Sequence, residues 1–143
     1  MVFHVTEAPA DAAACTAAAG ILFSGDTLFV GGCGKFFEGT PEDMLQNMRR
    51  INTLPADTLV FCAHEYTVSN FKFLKSVDPG LKSAYDDMVA LRVAGKPTVP
   101  TTIGAEKEHN LFFRCDDPAV QALVNQPSPE LAMKVLRAMK NSF

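Results

Sequence analysis

The stretch that decides the fold reads Phe23-Ser-Gly-Asp-Thr-Leu-Phe-Val-Gly-Gly-Cys-Gly-Lys-Phe-Phe-Glu-Gly39. An apolar strand predicted over Gly20–Phe23 runs directly into Asp26, and a cluster of glycines ending in Lys35 follows it. Glycine permits positive φ and close backbone approach, so this loop can curl over the strand ends. Functional residues usually lie on such loops. The stretch therefore predicts a sheet that presents a carboxylate at its rim.

A second stretch, Phe61-Cys-Ala-His-Glu-Tyr-Thr67, repeats the pattern of a short apolar strand that delivers a polar side chain. The strand is predicted over Leu59–Phe61, and it places His64 at its end, as the first strand places Asp26. A carboxylate and an imidazole on rigid elements suit a hard or borderline metal. Two ligands do not complete a zinc site, which needs about three or four. A capping aspartate and a hydrogen-bonded histidine are the alternative interpretation.

Composition restricts the classes of protein. The 143 residues, 48% hydrophobic and 20% charged, suffice for one ordinary domain or a small domain plus part of another. The net charge of -3 gives no electrostatic reason to expect nucleic acid or a membrane surface. The four cysteines show no C-x-x-C spacing, so we expect reduced thiols in the cytoplasm, with the mitochondrion as the alternative.

The first part of the chain predicts an α/β unit. Strands are expected over Met1–Val5, Gly20–Ser24 and Leu59–Phe61, with a surface loop over Ala8–Ala19. A helix should begin at Pro41, because Thr40 is a good N-cap and Glu42 and Asp43 follow in the first turn.

Beyond His64 the pattern becomes helical, with no further convincing strand. The predicted helices are Val68–Ser76, Leu81–Val93, Pro118–Val124 and Pro129–Lys140, with an extended segment over Gly95–Pro100. The division near residue 65 predicts an α/β domain over 1–65 and an all-helical domain over 66–143. No flexible linker separates the two parts, so they should pack together.

Several other residues could have a functional or a purely structural role. Lys35 could bind a carboxylate or be a surface lysine, and Cys33 and Cys62 suit packing better than reactivity. Arg137 and Lys140 project from one side of the last helix, although compensation of the helix dipole alone would explain them. His4 should be a strand residue, and His109 should be solvated in a charged loop. The glycine run lacks the spacing of a phosphate loop.

Taken together, these stretches resemble one family. The two quoted segments, followed by Pro97-Thr-Val-Pro100, by Asn110-Leu-Phe-Phe-Arg114 and by a final helix with Arg137 and Lys140, are similar to the C-terminal half of glyoxalase II. That family, the hydroxyacylglutathione hydrolases, belongs to the metallo-β-lactamase superfamily. The resemblance covers the chain from Gly20 to its end.

The resemblance implies a fold, a cofactor and a reaction. The fold is the C-terminal half of a four-layer αββα sandwich, followed by an all-helical substrate-binding domain. The cofactor is a dinuclear metal site holding zinc, with iron or manganese also used. The reaction is hydrolysis of a glutathione thioester, chiefly S-lactoylglutathione, to lactate and glutathione, which makes the chain an enzyme by family.

The resemblance also assigns roles to residues of this chain. Asp26 matches the carboxylate that bridges the metals and His64 matches the last histidine ligand, so both are expected to be catalytic and metal-binding. Four side chains match residues that hold the glutathione part of the substrate, namely Lys35, Tyr66, Arg137 and Lys140. At Phe37 the family usually has tyrosine, so a hydroxyl donor worth on the order of 1 kcal/mol is absent there.

The family's T-H-x-H-x-D-H motif and its later Gly-His ligand do not occur in this sequence. We therefore expect an incomplete metal site and no thioesterase activity of the chain alone. Its partners would be the glutathione thioester and a missing N-terminal half, whose loss should expose a sheet edge and an apolar face. A fragment of a hydrolase, a half that pairs with a separate chain, and a non-catalytic glutathione-binding or partner-binding pseudoenzyme are the alternatives.

Overall fold

The computed structural model describes residues 1–6 and 20–143. A four-stranded mixed sheet forms in the order β1-β2-β5-β6, in which β2 and β5 are parallel and both outer strands are antiparallel to their neighbours. Its strands are β1 (Phe3–Val5), β2 (Ile21–Gly25), β5 (Leu59–Cys62) and β6 (Thr101–Thr102). A separate two-stranded hairpin consists of β3 (Leu28–Phe29) and β4 (Gly32–Cys33). The prediction for Ala8–Ala19 lies outside the described residues.

Within the described residues, six α-helices accompany these strands. They are α1 (Pro41–Asn52), α2 (Thr67–Val77), α3 (Lys82–Val93), α4 (Ile103–His109), α5 (Pro118–Leu123) and α6 (Pro129–Ser142). A short 3-10 helix, Pro79–Leu81, precedes α3. The mixed α/β class is thus confirmed, and the predicted helices agree with α1, α2, α3, α5 and α6 to within one or two residues. Within residues 1–6 and 20–143, no helix has the length and apolar character needed to cross a membrane.

Helix α1 begins where the sequence predicts it. The Thr40 side chain accepts a hydrogen bond from the backbone N–H of Asp43, and the Asp43 carboxylate accepts one from the Thr40 backbone N–H. This reciprocal capping box satisfies donors that a helix start leaves free. The helix then buries Leu45, Met48 and Ile51 on one face, so it packs into the core along that face.

The two faces of the sheet differ in what covers them. Leu22 and Val60 point into the core, where they are 1% and 0% exposed. On the opposite face, Phe3, Val5 and Phe23 are 57%, 54% and 47% exposed, and the Phe23 ring packs at 5.8 Å on Phe61. The alternation follows from the period of two in a strand. The sheet thus carries the exposed apolar face that the sequence predicts.

Two predictions for the second part of the chain are wrong. Strand β6 lies beyond His64 and pairs antiparallel with β5, so residues 66–143 are not all-helical. A two-residue strand is too short to show a periodicity, and its pairing with β5 defines it. His109 is half-buried on α4 and lies 6.1 Å from the Phe71 ring. Helix α4 starts because the Thr102 side chain accepts from the Ala105 N–H, a cap the sequence analysis overlooked.

The two faces of β2 give a direct test of the packing. Leu22→Ala should lower the free energy of unfolding by about 2–5 kcal/mol, because it removes a fully buried side chain and leaves a cavity. Phe23→Ala, one residue further on, should lower it by about 1 kcal/mol or less, because the ring is already half in water. Urea denaturation of both variants measures the difference. Equal losses would show that the assigned faces are wrong.

Candidate functional site

Asp26 and His64 meet at one edge of the sheet. Asp26 follows β2 and His64 follows β5, and these parallel strands pair as far as Gly25 and Cys62, with a shift of register between Phe23 and Gly25. The Asp26 Oδ1 and His64 Nε2 atoms are 3.6 Å apart, and the two side chains are 71% and 53% exposed. The prediction that these side chains share one rim is therefore confirmed. Both face solvent, so a ligand can reach them.

The donor set at this rim fits part of a metal site. A carboxylate oxygen and an imidazole nitrogen are both ligands that zinc accepts in proteins. In the part of the chain that the structure describes, no group of three or more His, Cys, Asp or Glu side chains could hold a metal ion. Asp26 and His64 are thus two donors that fit such a site, and a complete site needs further ligands.

A cavity of about 440 Å³ opens beside this pair, and we call it the Asp26 cavity. All seven predicted site residues line it: Asp26, Lys35, Phe37, His64, Tyr66, Arg137 and Lys140. Five further residues line the cavity without having been predicted to bind a metal or substrate, namely Phe29, Cys33, Gly34, Ser69 and Asn70. The structure thus brings residues separated by more than a hundred positions to one site, lined by Asp26, His64 and three cationic side chains.

Aromatic rings hold the imidazole. The His64 ring stacks on Tyr66 at 5.1 Å between centroids, and Phe29 meets Tyr66 edge-on at 5.2 Å. Tyr66 is 51% exposed, so its hydroxyl remains available to a ligand. Phe37 is 87% exposed and presents only an apolar ring. The rings fix His64 without occupying the space beside it.

A hydrogen-bonded carboxylate fixes the segment next to His64. Glu65 Oε1 accepts from both the N–H and the hydroxyl of Thr98, each at 2.7 Å, and Arg92 lies 3.3 Å from the other oxygen. These Thr98 hydrogen bonds, and to a smaller extent Arg92, hold the pKa of Glu65 below its usual value. The extended segment before β6 therefore anchors the loop that carries the imidazole.

Lys140 and Lys35 differ in their contacts and exposure. Lys140 Nζ donates to the carbonyl and hydroxyl oxygens of Ser69 at 2.9 and 3.0 Å. Burial lowers the pKa of Lys140, and the neighbouring cations Arg137 and Lys72 lower it further. An anionic ligand beside Lys140 would relieve that repulsion. Lys35 is exposed at the end of the glycine loop.

Arg137 does more than line the cavity. It is only 7% exposed, its Nη1 donates to the Cys33 carbonyl at 2.8 Å, and its Nε donates to Asn141 Oδ1 at 3.1 Å. The guanidinium also lies 5.5 Å from the Phe112 ring centroid. Dipole compensation would not require this burial, so Arg137 has a specific structural contact with the glycine loop.

Side chains from the helices hold the backbone of the hairpin, which we define as Leu28–Cys33. Asn70 Nδ2 donates to the Val30 carbonyl at 3.0 Å, and Asn110 Nδ2 donates to the Gly32 carbonyl at 3.1 Å. Besides the Ser24 hydroxyl, which donates to the Leu28 carbonyl at 2.7 Å, four side chains from residues 70–137 contact this backbone, and we call them the polar clasp: Asn70, Glu106, Asn110 and Arg137. No local pattern in the sequence marks Glu106 or Asn70 as part of the site. Asn110 appeared only as part of the family resemblance.

Glu106 is the buried acid of the clasp. It is 2% exposed, and its Oε2 accepts from the Gly31 N–H at 3.0 Å and from Asn110 Nδ2 at 2.8 Å. Its Oε1 accepts from the Thr101 hydroxyl at 3.0 Å. Burial raises the pKa of Glu106 to about 7, and the three hydrogen bonds partly oppose that rise. The side chain is thus held mainly by neutral donors.

Cys33 is not a reactive thiol. It is 3% exposed, and burial raises the pKa of its thiol to about 12 against the opposing effect of Arg137. A thiol with so high a pKa stays protonated near neutrality and is a poor nucleophile. The prediction that Cys33 serves packing is therefore confirmed.

Comparison with known proteins agrees with this geometry. Residues 65–143 match the family model described as hydroxyacylglutathione hydrolase C-terminus. A hydroxyacylglutathione hydrolase of Synechococcus sp. (strain JA-3-3Ab) is 51% identical over 127 residues, which is 87% of this chain and 50% of that protein. Proteins of the same name from Synechocystis sp. and Aeromonas salmonicida are each 44% identical, over 87% of this chain and 49% and 52% of theirs.

The matched family model and these relatives carry the same name, and the Asp26 cavity holds the residues that the sequence resemblance assigned. The matched family model covers more than half of the chain. The chain belongs to the hydroxyacylglutathione hydrolase family, also called glyoxalase II, as the sequence resemblance predicts. It spans about half the length of the curated relatives it matches.

The buried acid makes stability depend on pH. Because the folded-state pKa of Glu106 is about 7, above the ordinary value of 4.5, the folded protein keeps a proton that the unfolded chain loses between these pH values. Stability should therefore fall as the pH rises through this window. Glu106→Gln lacks this titration. Its free energy of unfolding, relative to that of the wild type, should therefore rise by up to about 3 kcal/mol as the pH increases from 4.5 to about 7.

Urea denaturation of the two proteins at several pH values measures this difference. Because every other titrating group is common to both proteins, subtracting the two curves isolates Glu106. A difference that stays constant between pH 4.5 and 7.5 would show that Glu106 titrates at its ordinary pKa.

Proposed function

We propose that this chain forms the substrate-binding part of a metal-dependent thioester hydrolase, which cleaves 2-hydroxyacylglutathione, chiefly S-lactoylglutathione, to lactate and glutathione. One observation carries the proposal: a metal-type pair and three cationic side chains line the same cavity. Metal ions held by Asp26 and His64 would lie at the reacting thioester carbonyl. The three cations would bind the glutathione part of the substrate. The names of the relatives agree with this assignment.

In this proposal the chain is the C-terminal half of a four-layer αββα sandwich with a helical domain, divided near residue 65. Two observations support it. The chain spans about half of each matched relative, and the sheet carries exposed apolar side chains such as Phe3 and Phe23 on the face away from its helices. A missing N-terminal half would bury that face, since large exposed apolar patches mark contact surfaces.

The cationic side chains would hold glutathione. Its two carboxylates favour charge-assisted hydrogen bonds, which are shorter and stronger than neutral ones. Lys140 uses only part of its donor capacity on Ser69, since an ammonium group has three N–H donors. Lys35 is exposed and its side chain has no hydrogen bond or ion pair with the described residues, and Tyr66 adds a hydroxyl to the same cavity. Phe37 adds only apolar contact.

Asp26 and His64 would hold the metal ions in the same cavity. When bound, such metals supply Lewis-acid chemistry to the thioester carbonyl. The chain's own contribution is orientation, because the Tyr66 and Phe29 rings and the Glu65 carboxylate fix the imidazole. The cations would then hold the glutathione portion, so that the thioester lies beside Asp26 and His64. Water adds to the thioester carbonyl carbon, the C–S bond breaks, and the acid and the glutathione thiolate are the products.

Binding of a thioether tests this proposal on the chain itself. S-methylglutathione keeps both carboxylates and cannot be hydrolysed at its sulfur. Titration calorimetry should detect binding to the wild type, and Lys140→Ala or Lys35→Ala should weaken it by about tenfold each, the size expected for a lost charged hydrogen bond.

Lys82→Ala is the matched control. Lys82 lies on α3, its side chain is 72% exposed, and it pairs with Asp86 outside the cavity. The control should bind S-methylglutathione as the wild type does. Absence of binding to the wild type, or an equal loss in all three variants, would contradict the proposed substrate site.

A further inference from the structure

The hairpin that carries the site is too short to hold itself. Its strands are joined by only two residue pairs, Leu28 with Cys33 and Phe29 with Gly32. An isolated two-stranded hairpin is marginally stable at best, even with more pairs. Asp26 nevertheless precedes its first strand and Lys35 follows its second. The positions of both residues therefore depend on whatever fixes the hairpin.

Glu106 binds the buried side of the hairpin turn. Gly31 has a φ of +68°, and a Cβ there would lie 2.7 Å from the Phe71 ring, so the turn is pressed against α2. In that position the Gly31 N–H faces away from solvent and donates to Glu106 Oε2. The same oxygen orients Asn110, whose amide spans the Phe29 and Gly32 carbonyls at 3.4 and 3.1 Å.

Movement of the hairpin would be transmitted directly to the site. The Gly34 N–H donates to the Thr27 carbonyl at 3.2 Å, which closes the base of the hairpin. A Cβ on Gly34 would lie 2.0 Å from the Asp26 carbonyl oxygen, so the returning chain is packed against Asp26 itself. Lys35 is the next residue along the chain. A displacement of the turn would therefore move both Asp26 and Lys35, which line the cavity.

We propose that Glu106 is a positioning residue of the Asp26 cavity: by fixing Gly31 and Asn110 at the hairpin turn, it sets where Asp26 and Lys35 lie relative to His64 and Lys140. Glu106 does not line the cavity, so it acts only through the hairpin. The functional part of this proposal rests on the substrate site proposed above, and the structural part does not.

The chemistry of the contacts selects the variants. In Glu106→Gln, the amide oxygen still accepts from Gly31 and Asn110, and the amide nitrogen can donate to the Thr101 hydroxyl. Glu106→Ala removes all three bonds and leaves the buried Gly31 N–H without its acceptor. Glu106→Asp is one methylene shorter, so it cannot keep both Gly31 and Thr101. Leu81→Ala is a stability control at a buried residue outside the cavity.

The experiment combines amide hydrogen exchange of the folded proteins with calorimetric titration by S-methylglutathione. In Glu106→Ala, amides of residues 31–34 should exchange about tenfold faster or more, while those of α1 and α3 keep their protection, and affinity should fall about tenfold. Glu106→Gln should restore both properties. Leu81→Ala should lose stability but keep the protection of the hairpin and the affinity.

Opposite results would overturn the proposal. Unchanged hairpin exchange in Glu106→Ala, or a loss spread evenly over all helices, would show that Glu106 does not position the hairpin. If Glu106→Ala does not fold, Glu106→Asp decides by the same criteria. Failure of the wild type to bind S-methylglutathione would contradict the proposed substrate site, whereas the exchange data would still decide whether Glu106 fixes the hairpin.

Discussion

The buried backbone of the hairpin, Leu28–Cys33, is the constraint on which the rest of the site depends. Buried main-chain N–H and C=O groups require partners, and a hairpin with two residue pairs supplies few of its own. Side chains of the polar clasp provide them, since Asn70, Glu106, Asn110 and Arg137 contact five backbone groups from Phe29 to Cys33. The glycines allow this close approach. The loop is thus ordered by helices that follow it in the chain.

The polar clasp connects the cationic side chains of the cavity with the loop that carries Asp26. Arg137 contacts the hairpin through Cys33 and also lines the cavity, so the same helix that offers cations to a ligand helps to fix the loop carrying Asp26. On the other side, Glu65 and Tyr66 fix His64 through Thr98 and through ring stacking. Both members of the metal-type pair are therefore held in place by residues outside the strands that deliver them.

Local patterns in the sequence predict much of this structure. The apolar strands before Asp26 and His64 place both side chains at one rim, and Thr40 with Asp43 predicts the start of α1. The clasp could not be predicted in this way, because Glu106 meets Gly31 across 75 positions and no local pattern encodes that contact. Strand β6 could not be predicted for a related reason, since only its pairing with β5 defines it. The family resemblance supplied the cavity residues that periodicity did not.

The central claim is that the glutathione part of a thioester binds in the Asp26 cavity between the hairpin and α6. Amide chemical shifts of the labelled chain, followed during titration with S-methylglutathione, test this claim most directly. The account predicts that the largest shifts occur at the loop around Lys35, at the segment around Tyr66 and at the end of α6 around Lys140. Shifts confined to α3 and α5, or to the exposed sheet face around Phe23, would contradict it.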